Sequence, residues 1–354
     1  MDHRGSAQPE RKRPRLSPED EKPFVNHPTL YFDDGNVILQ AGATLFCVHR
    51  SLLSKHSAVF RDLFAQEHAE FRGLPHISME ETPEEVEALL NVVYDGLRFE
   101  MRELTVETFP TLANLLRMAT KYKVQRPCTD IISRIRAEWP STLVQHDTKA
   151  AEARARLHKL YNSAQKQPAG EQGPAYAGPA HVPQPQQEDI IVHPAAVIAL
   201  LRDCGYHDPD LLFPLFYALS RTTWQFGGPL LGHSLAPLSS ADVERLVVGI
   251  ERLRSAHTSF ATVVPQHAAV PTNPPHFCMM GAAQLQTSMV PLLLPNAQNR
   301  AREPLEEWRG MISFVNTHYQ QYQICLLCSR SITAHMESIR QRLWESLPRY
   351  FELA

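Results

Sequence analysis

Residues 44–64 read TLFCVHRSLLSKHSAVFRDLF. Leu45-Phe46-Cys47-Val48 is an apolar run too short for a stable helix and bounded by turn residues, which predicts a buried strand. The period then changes. Leu52, Leu53, Val59, Phe60, Leu63 and Phe64 fall at helical spacings on either side of Ser57. A serine there caps a second short helix by accepting a hydrogen bond from a free backbone N–H. The stretch therefore goes strand, helix, helix, with His49-Arg50 at the joint.

Working outward, two apolar runs within residues 29–48 flank Gln40-Ala41-Gly42-Ala43, and Gly42 supplies the backbone freedom of a hairpin loop. Pro75 to Met79 is a candidate third strand. Thr82 then Pro83, with Glu84 and Glu85 in the first turn, predicts a helix start. Val86, Leu89, Leu90 and Val93 give that helix its apolar face. A further helix over 105–122 carries Leu112, Leu115, Leu116 and Ala119 on one face and closes at Tyr122. Another runs from Pro127 through Ile131, Ile132 and Ile135 until Pro140 stops it.

Taken together, these residues resemble the BTB/POZ domain. Phe46-Cys47-Val48-His49-Arg50-Ser51-Leu52-Leu53, then Ser57 and Phe60 to Phe64, resemble its strand, basic joint and helix pair. Tyr31 to Leu39 resembles the partner strand, and Leu89 to Gly96 resembles the helix that members end with Tyr-x-Gly. The resemblance covers residues 24–140 and implies an α+β fold, a small sheet with helical hairpins beneath it. It also implies homodimerisation through an apolar helical face and an exchanged first strand. In this resemblance His49 and Arg50 sit near the dimer groove, opposite a buried aspartate that is either Asp33 or Asp34. A plainer reading has His49 filling the strand end. Neither reading is catalytic.

The rest of the chain reads as helices and linkers. Residues 1–23 are rich in proline and charge, a composition that stays disordered. Within them Arg11-Lys12-Arg13-Pro14-Arg15 is either a nuclear localisation signal or a solvated tail, beside the phosphorylatable Ser17-Pro18. Residues 141–162 are expected to form an exposed helical extension with little apolar surface. Residues 163–188, with Pro168, Pro174, Pro179, Pro183 and Pro185, cannot build a core and read as a linker. From 189 to 354 the pattern is all-α. Helices start at Pro194 and Asp208-Pro209, at the cap Ser239 or Ser240, and at Pro304, where a long helical region begins that Pro348 ends. The stretch 258–300, Pro-rich and polar, reads as a long loop. The opening of this half, His193 to Ser220, resembles the segment after the BTB domain in fungal members.

Composition excludes several function classes. A net charge of −3 gives no bulk electrostatic case for nucleic acid or membrane binding. No apolar run is long enough to span a bilayer, and the N-terminus lacks the apolar core of a secretory signal. The expectation is an intracellular chain, nuclear or cytoplasmic, with reduced thiols.

Candidate chemistry is thin. Gly232-His233-Ser234-Leu235-Ala236 resembles a nucleophile elbow, which needs a preceding buried strand, but Phe226-Gly227-Gly228-Pro229 precedes it, Pro237 follows it and Ala236 replaces the last glycine, so a loop before a helix is the reading and a serine hydrolase only a remote alternative. Cys325 and Cys328, with His276 and Cys278 upstream, have the count of a zinc site; the alternative is that the two cysteines pack in a helical stripe. No cofactor motif is present, and the sequence reading assigns no metal. The function expected is binding rather than catalysis. The BTB resemblance implies two roles. One is a cullin-3 ubiquitin-ligase substrate adaptor, with Glu84, Glu85 and Tyr94 on the cullin side and an unknown protein held by the C-terminal half. The other is a nuclear regulatory scaffold.

Overall fold

In the computed structural model the expected strand is β3 (Thr44–Val48), and it lies inside a five-stranded mixed sheet. The structure describes residues 23–96, 104–165, 192–221, 237–267, 278–293 and 303–354. The other strands are β1 (Val25–Tyr31), β2 (Val37–Ala41), β4 (Glu70–Phe71) and β5 (Leu74–Met79), in the order β1-β3-β2-β5-β4. β2 and β3 form the expected antiparallel hairpin, with Gly42 at φ +55° in its loop. β1 runs parallel to β3, and β5 parallel to β2. Val37, Ile38, Leu39 and Ala41 of β2 are fully buried. That is the continuous apolar run of a strand covered on both faces.

After β3 come α1 (Arg50–His56) and α2 (Ala58–Phe64), joined at Ser57. Ser57 Oγ accepts from Phe60 N–H at 3.0 Å and donates to the Tyr122 carbonyl at 2.5 Å, so one hydroxyl caps α2 and ties it to a distant segment. α3 (Pro83–Tyr94) opens with the full reciprocal cap: Thr82 Oγ1 accepts from Glu85 N–H, and the Glu85 carboxylate accepts from Thr82 N–H. α4 (Phe109–Lys121) and α5 (Gln125–Glu138) follow. The Tyr122 ring at the end of α4 stacks on Phe60, with centroids 4.3 Å apart and planes 8° apart.

The remaining helices are α6 (Leu143–Gln165), α7 (Pro194–Asp203), α8 (Pro209–Arg221), α9 (Ser240–His267), α10 (Cys278–Leu293), α11 (Pro304–His318) and α12 (Leu326–Tyr350). After the first five strands and their helices, every element among the described residues is helical, so the fold is α+β with an all-α C-terminal part. The chain divides into two compact units. One is drawn from Met1–Phe99 and Met118–Pro127, the other from Glu100–Arg117 and Cys128–Ala354, so α4 contributes to both.

Three expectations are corrected. The stretch 258–300 is not one long loop, because α9 extends to His267 and α10 occupies Cys278–Leu293. Proline content masked a stripe at every fourth residue, Gly281, Leu285, Met289 and Leu293, all buried. The α10 backbone also approaches closely: a Cβ on Gly281 would lie 1.8 Å from the Tyr322 carbonyl oxygen. Pro348 does not end α12, which runs on to Tyr350. A proline this close to the end disturbs little of the ladder. Cys325 is not inside a helical stripe but is the N-cap of α12.

The start of α6 is tied into the second unit. Asp147 takes two bonds from Arg340 Nη2, at 2.7 and 2.8 Å, and one from Arg309 at 3.2 Å. Trp344 Nε1–H donates to the Ser141 carbonyl at 2.8 Å. Beside them Glu306 accepts from the Tyr217 hydroxyl at 3.1 Å and lies 3.3 Å from His146 Nε2. Burial alone raises the Glu306 carboxyl, but His146, Arg221 and Arg309 outweigh it and hold it at about 2, against an ordinary 4.5. A depressed folded pKa contributes stability above pH 4.5, about 3 kcal/mol here, and that contribution is lost as pH falls from about 4.5 towards 2. Glu306→Gln should flatten this dependence. Thermal melts at about pH 5 and pH 3 test it, and an equal drop in both proteins would contradict it.

Candidate functional site

The joint between β3 and α1 gathers four side chains. His49 N–H donates to the Tyr94 hydroxyl at 3.0 Å, and the same hydroxyl lies 2.8 Å from His49 Nδ1. With the phenol donating to Nδ1, the ring proton sits on Nε2, which lies 3.3 Å from Asp34 Oδ1. Phe32 stacks on Tyr94, centroids 4.7 Å apart. Burial pushes the Tyr94 phenol up, opposed by the His49 N–H and reinforced by the charge of Asp34. Asp34, not Asp33, is the carboxylate at His49, yet its side chain is 86% exposed rather than buried. A contact so exposed contributes about 0–1 kcal/mol.

Arg50 turns the other way. Its backbone N–H donates to Asn36 Oδ1 at 2.8 Å, and its guanidinium donates to the Phe64 carbonyl and lies over the Phe64 ring. A pocket of about 300 Å³ opens beside it, between Phe64, His68 and Pro75. Glu84 and Glu85 stand at the opposite end of α3 from Tyr94. Glu84 is exposed and Glu85 is spent in the cap. The structure therefore brings Asp34, His49 and Tyr94 together and keeps Arg50, Glu84 and Glu85 apart from them. What the arrangement offers is a hydroxyl, an imidazole and an exposed carboxylate linked in one chain of contacts.

Residues 31–135 match the BTB/POZ domain. The match spans under a third of the chain's 354 residues. No curated protein and no solved structure matches the chain. The BTB/POZ domain is a protein–protein interaction module, and the β3–α1 joint, α3 and the Tyr122 anchor all fall inside it. Among the described residues no helix is long and apolar enough to cross a membrane.

A second cluster lies outside the BTB/POZ domain. The Sγ atoms of Cys278, Cys325 and Cys328 all lie within 4.8 Å of one another. Backbone N–H groups of Cys328 and Leu327 point at Cys325 and draw its thiol down, while burial pushes Cys328 up. Residue type alone groups these three with His276. His276 and Ser234 lie outside the described residues, as do Arg11, Lys12, Arg13 and Arg15.

Proposed function

We propose that this protein is a homodimeric substrate adaptor for a cullin-3 ubiquitin ligase. The BTB/POZ domain holds the cullin, and the all-α region holds a protein substrate. In this organisation residues 24–140 form the interaction domain, 163–188 the linker and 189–354 the substrate-binding domain. The observation that carries the reading is the BTB/POZ match at residues 31–135, followed in the same chain by the helices α6 to α12. Dimerisation adds avidity, because two substrate sites on one assembly raise the effective concentration of the second. β1 is a sheet edge whose unpaired backbone groups suit exchange between copies. A nuclear scaffold is the competing reading, and it rests on the sequence Arg11 to Arg15.

The test is a tagged pull-down of the full chain with mass spectrometry, beside light scattering for its mass in solution. Glu84 and Asn91 are exposed on α3 and lie two turns apart, so they report on that face without touching the His49–Tyr94 contact. Recovery of cullin-3 that Glu84→Arg with Asn91→Arg abolishes, with the melting temperature kept, is the expected result. A chain that brings down chromatin proteins and no cullin would replace the adaptor with the scaffold.

A further inference from the structure

Cys278 begins α10, Cys325 caps α12, and Cys328 follows one turn into α12. Two helix N-termini therefore converge on three sulfurs. The Cys325 N–H donates to Cys278 Sγ at 3.2 Å, and the Cys328 N–H donates to Cys325 Sγ at 3.5 Å. A neutral thiol is a poor acceptor, whereas a thiolate is a good one. Deprotonated together, three sulfurs this close would repel unless a cation lay between them.

We infer that Cys278, Cys325 and Cys328 bind one zinc ion through their three sulfurs, fastening α10 to α12. Zinc holds sulfur at about 2.3 Å, and a tetrahedral arrangement then spaces the sulfurs about 3.8 Å apart. The observed limit of 4.8 Å needs small rotamer adjustments to close. A disulfide needs about 2.05 Å, which demands a larger movement and leaves the third sulfur without a role. Soft thiolate donors favour zinc over magnesium or calcium. The fourth position is open to water or a further donor. Entry is available: Cys328 and Cys278 are buried, but Cys325 is partly exposed, and Leu326 and Leu327 beside it face solvent. The two backbone N–H bonds to sulfur would serve as the outer layer that orients the ligands. The tight approach of Gly281 to Tyr322 is what brings Cys278 within reach.

The experiment is metal analysis of the full chain, purified without chelator and without oxygen, with cobalt(II) as a spectroscopic substitute. The expected result is one zinc per chain. Cobalt should give thiolate charge-transfer bands and the strong visible absorption of a tetrahedral site. Cys325→Ser and Cys278→Ser should each lose both signals, whereas Cys47→Ser, Cys128→Ser and Cys204→Ser should keep them. Zinc well below one per chain, with all six cysteines open to a thiol reagent after unfolding, overturns the inference. So does a Cys325–Cys328 disulfide found by mass under non-reducing conditions, or zinc that survives loss of Cys325 and Cys278 together.

Discussion

Arg340→Ala should destabilise the all-α part of the second unit by about 3 kcal/mol. Arg340 is 2% exposed and meets three partners from its place on α12. Its Nε–H donates to the Leu305 carbonyl at 3.0 Å, its Nη1 reaches Glu337 at 2.9 Å, and its Nη2 clamps Asp147 with two bonds. Truncation takes the side-chain donor from the Leu305 carbonyl and leaves a half-buried carboxylate with Arg309, at 3.2 Å. Removing one partner of a buried pair costs more than the pair contributes, because the survivor stays desolvated. The second contact with Arg309 keeps the cost at the lower end of that range. Arg340→Met with Asp147→Leu should recover part of the loss, since an apolar pair strands no charge. Urea unfolding followed by helical circular dichroism measures both. A change below about 1 kcal/mol for Arg340→Ala would mean the network is ornamental.

Phe60→Ala should cost about 4 kcal/mol and loosen the first unit where it is least redundant. α2 has two turns and buries only Phe60 and Phe64. Phe60 is 1% exposed and lies between the Phe64 ring and the Tyr122 ring, so its removal empties the contact between α2 and the end of α4. Tyr122 cannot follow inward. Its hydroxyl donates to Glu81 at 2.9 Å and its carbonyl accepts from Ser57. The void therefore stays open, which is the expensive case. Hydrogen exchange with peptide resolution should show lost protection over residues 44–64 and 118–124. Unchanged exchange there would show that α2 is held by something else.

In the first unit the local signals place the β2–β3 hairpin, β5 and the helix starts, but not β1 or β4, whose pairing is set by distant partners. Ser57, Thr82 with Glu85, and Gly42 each act on neighbours within a few residues, and each stands where its chemistry predicts. What escaped is long-range. Asp147 and Arg340 are 193 positions apart, and nothing at either position announces the other, so the start of α6 read as exposed. One helix carries Tyr94, Glu84 and Glu85, but the Tyr94 hydroxyl belongs to His49, 45 positions earlier. Prolines on both sides of α10 suggest a loop, while its buried face repeats every fourth residue. Residue type names Cys278 with Cys325 and Cys328, but the three meet only because α10 forms and Gly281 lets it approach.

The order of strands in the sheet has a consequence for synthesis. β2 finds β3 at once across the Gly42 loop, but its other edge waits for β5, where Ile38 meets His76 nearly forty residues later. At ribosomal rates of about 5–20 residues per second, that edge stays open for about 2–8 s on every new chain. Val37, Ile38 and Leu39 are the side chains left uncovered meanwhile. A nascent chain stalled between α2 and β5, or a transcript truncated there, would present a half-built apolar strand to its neighbours, a natural client for chaperones and quality control.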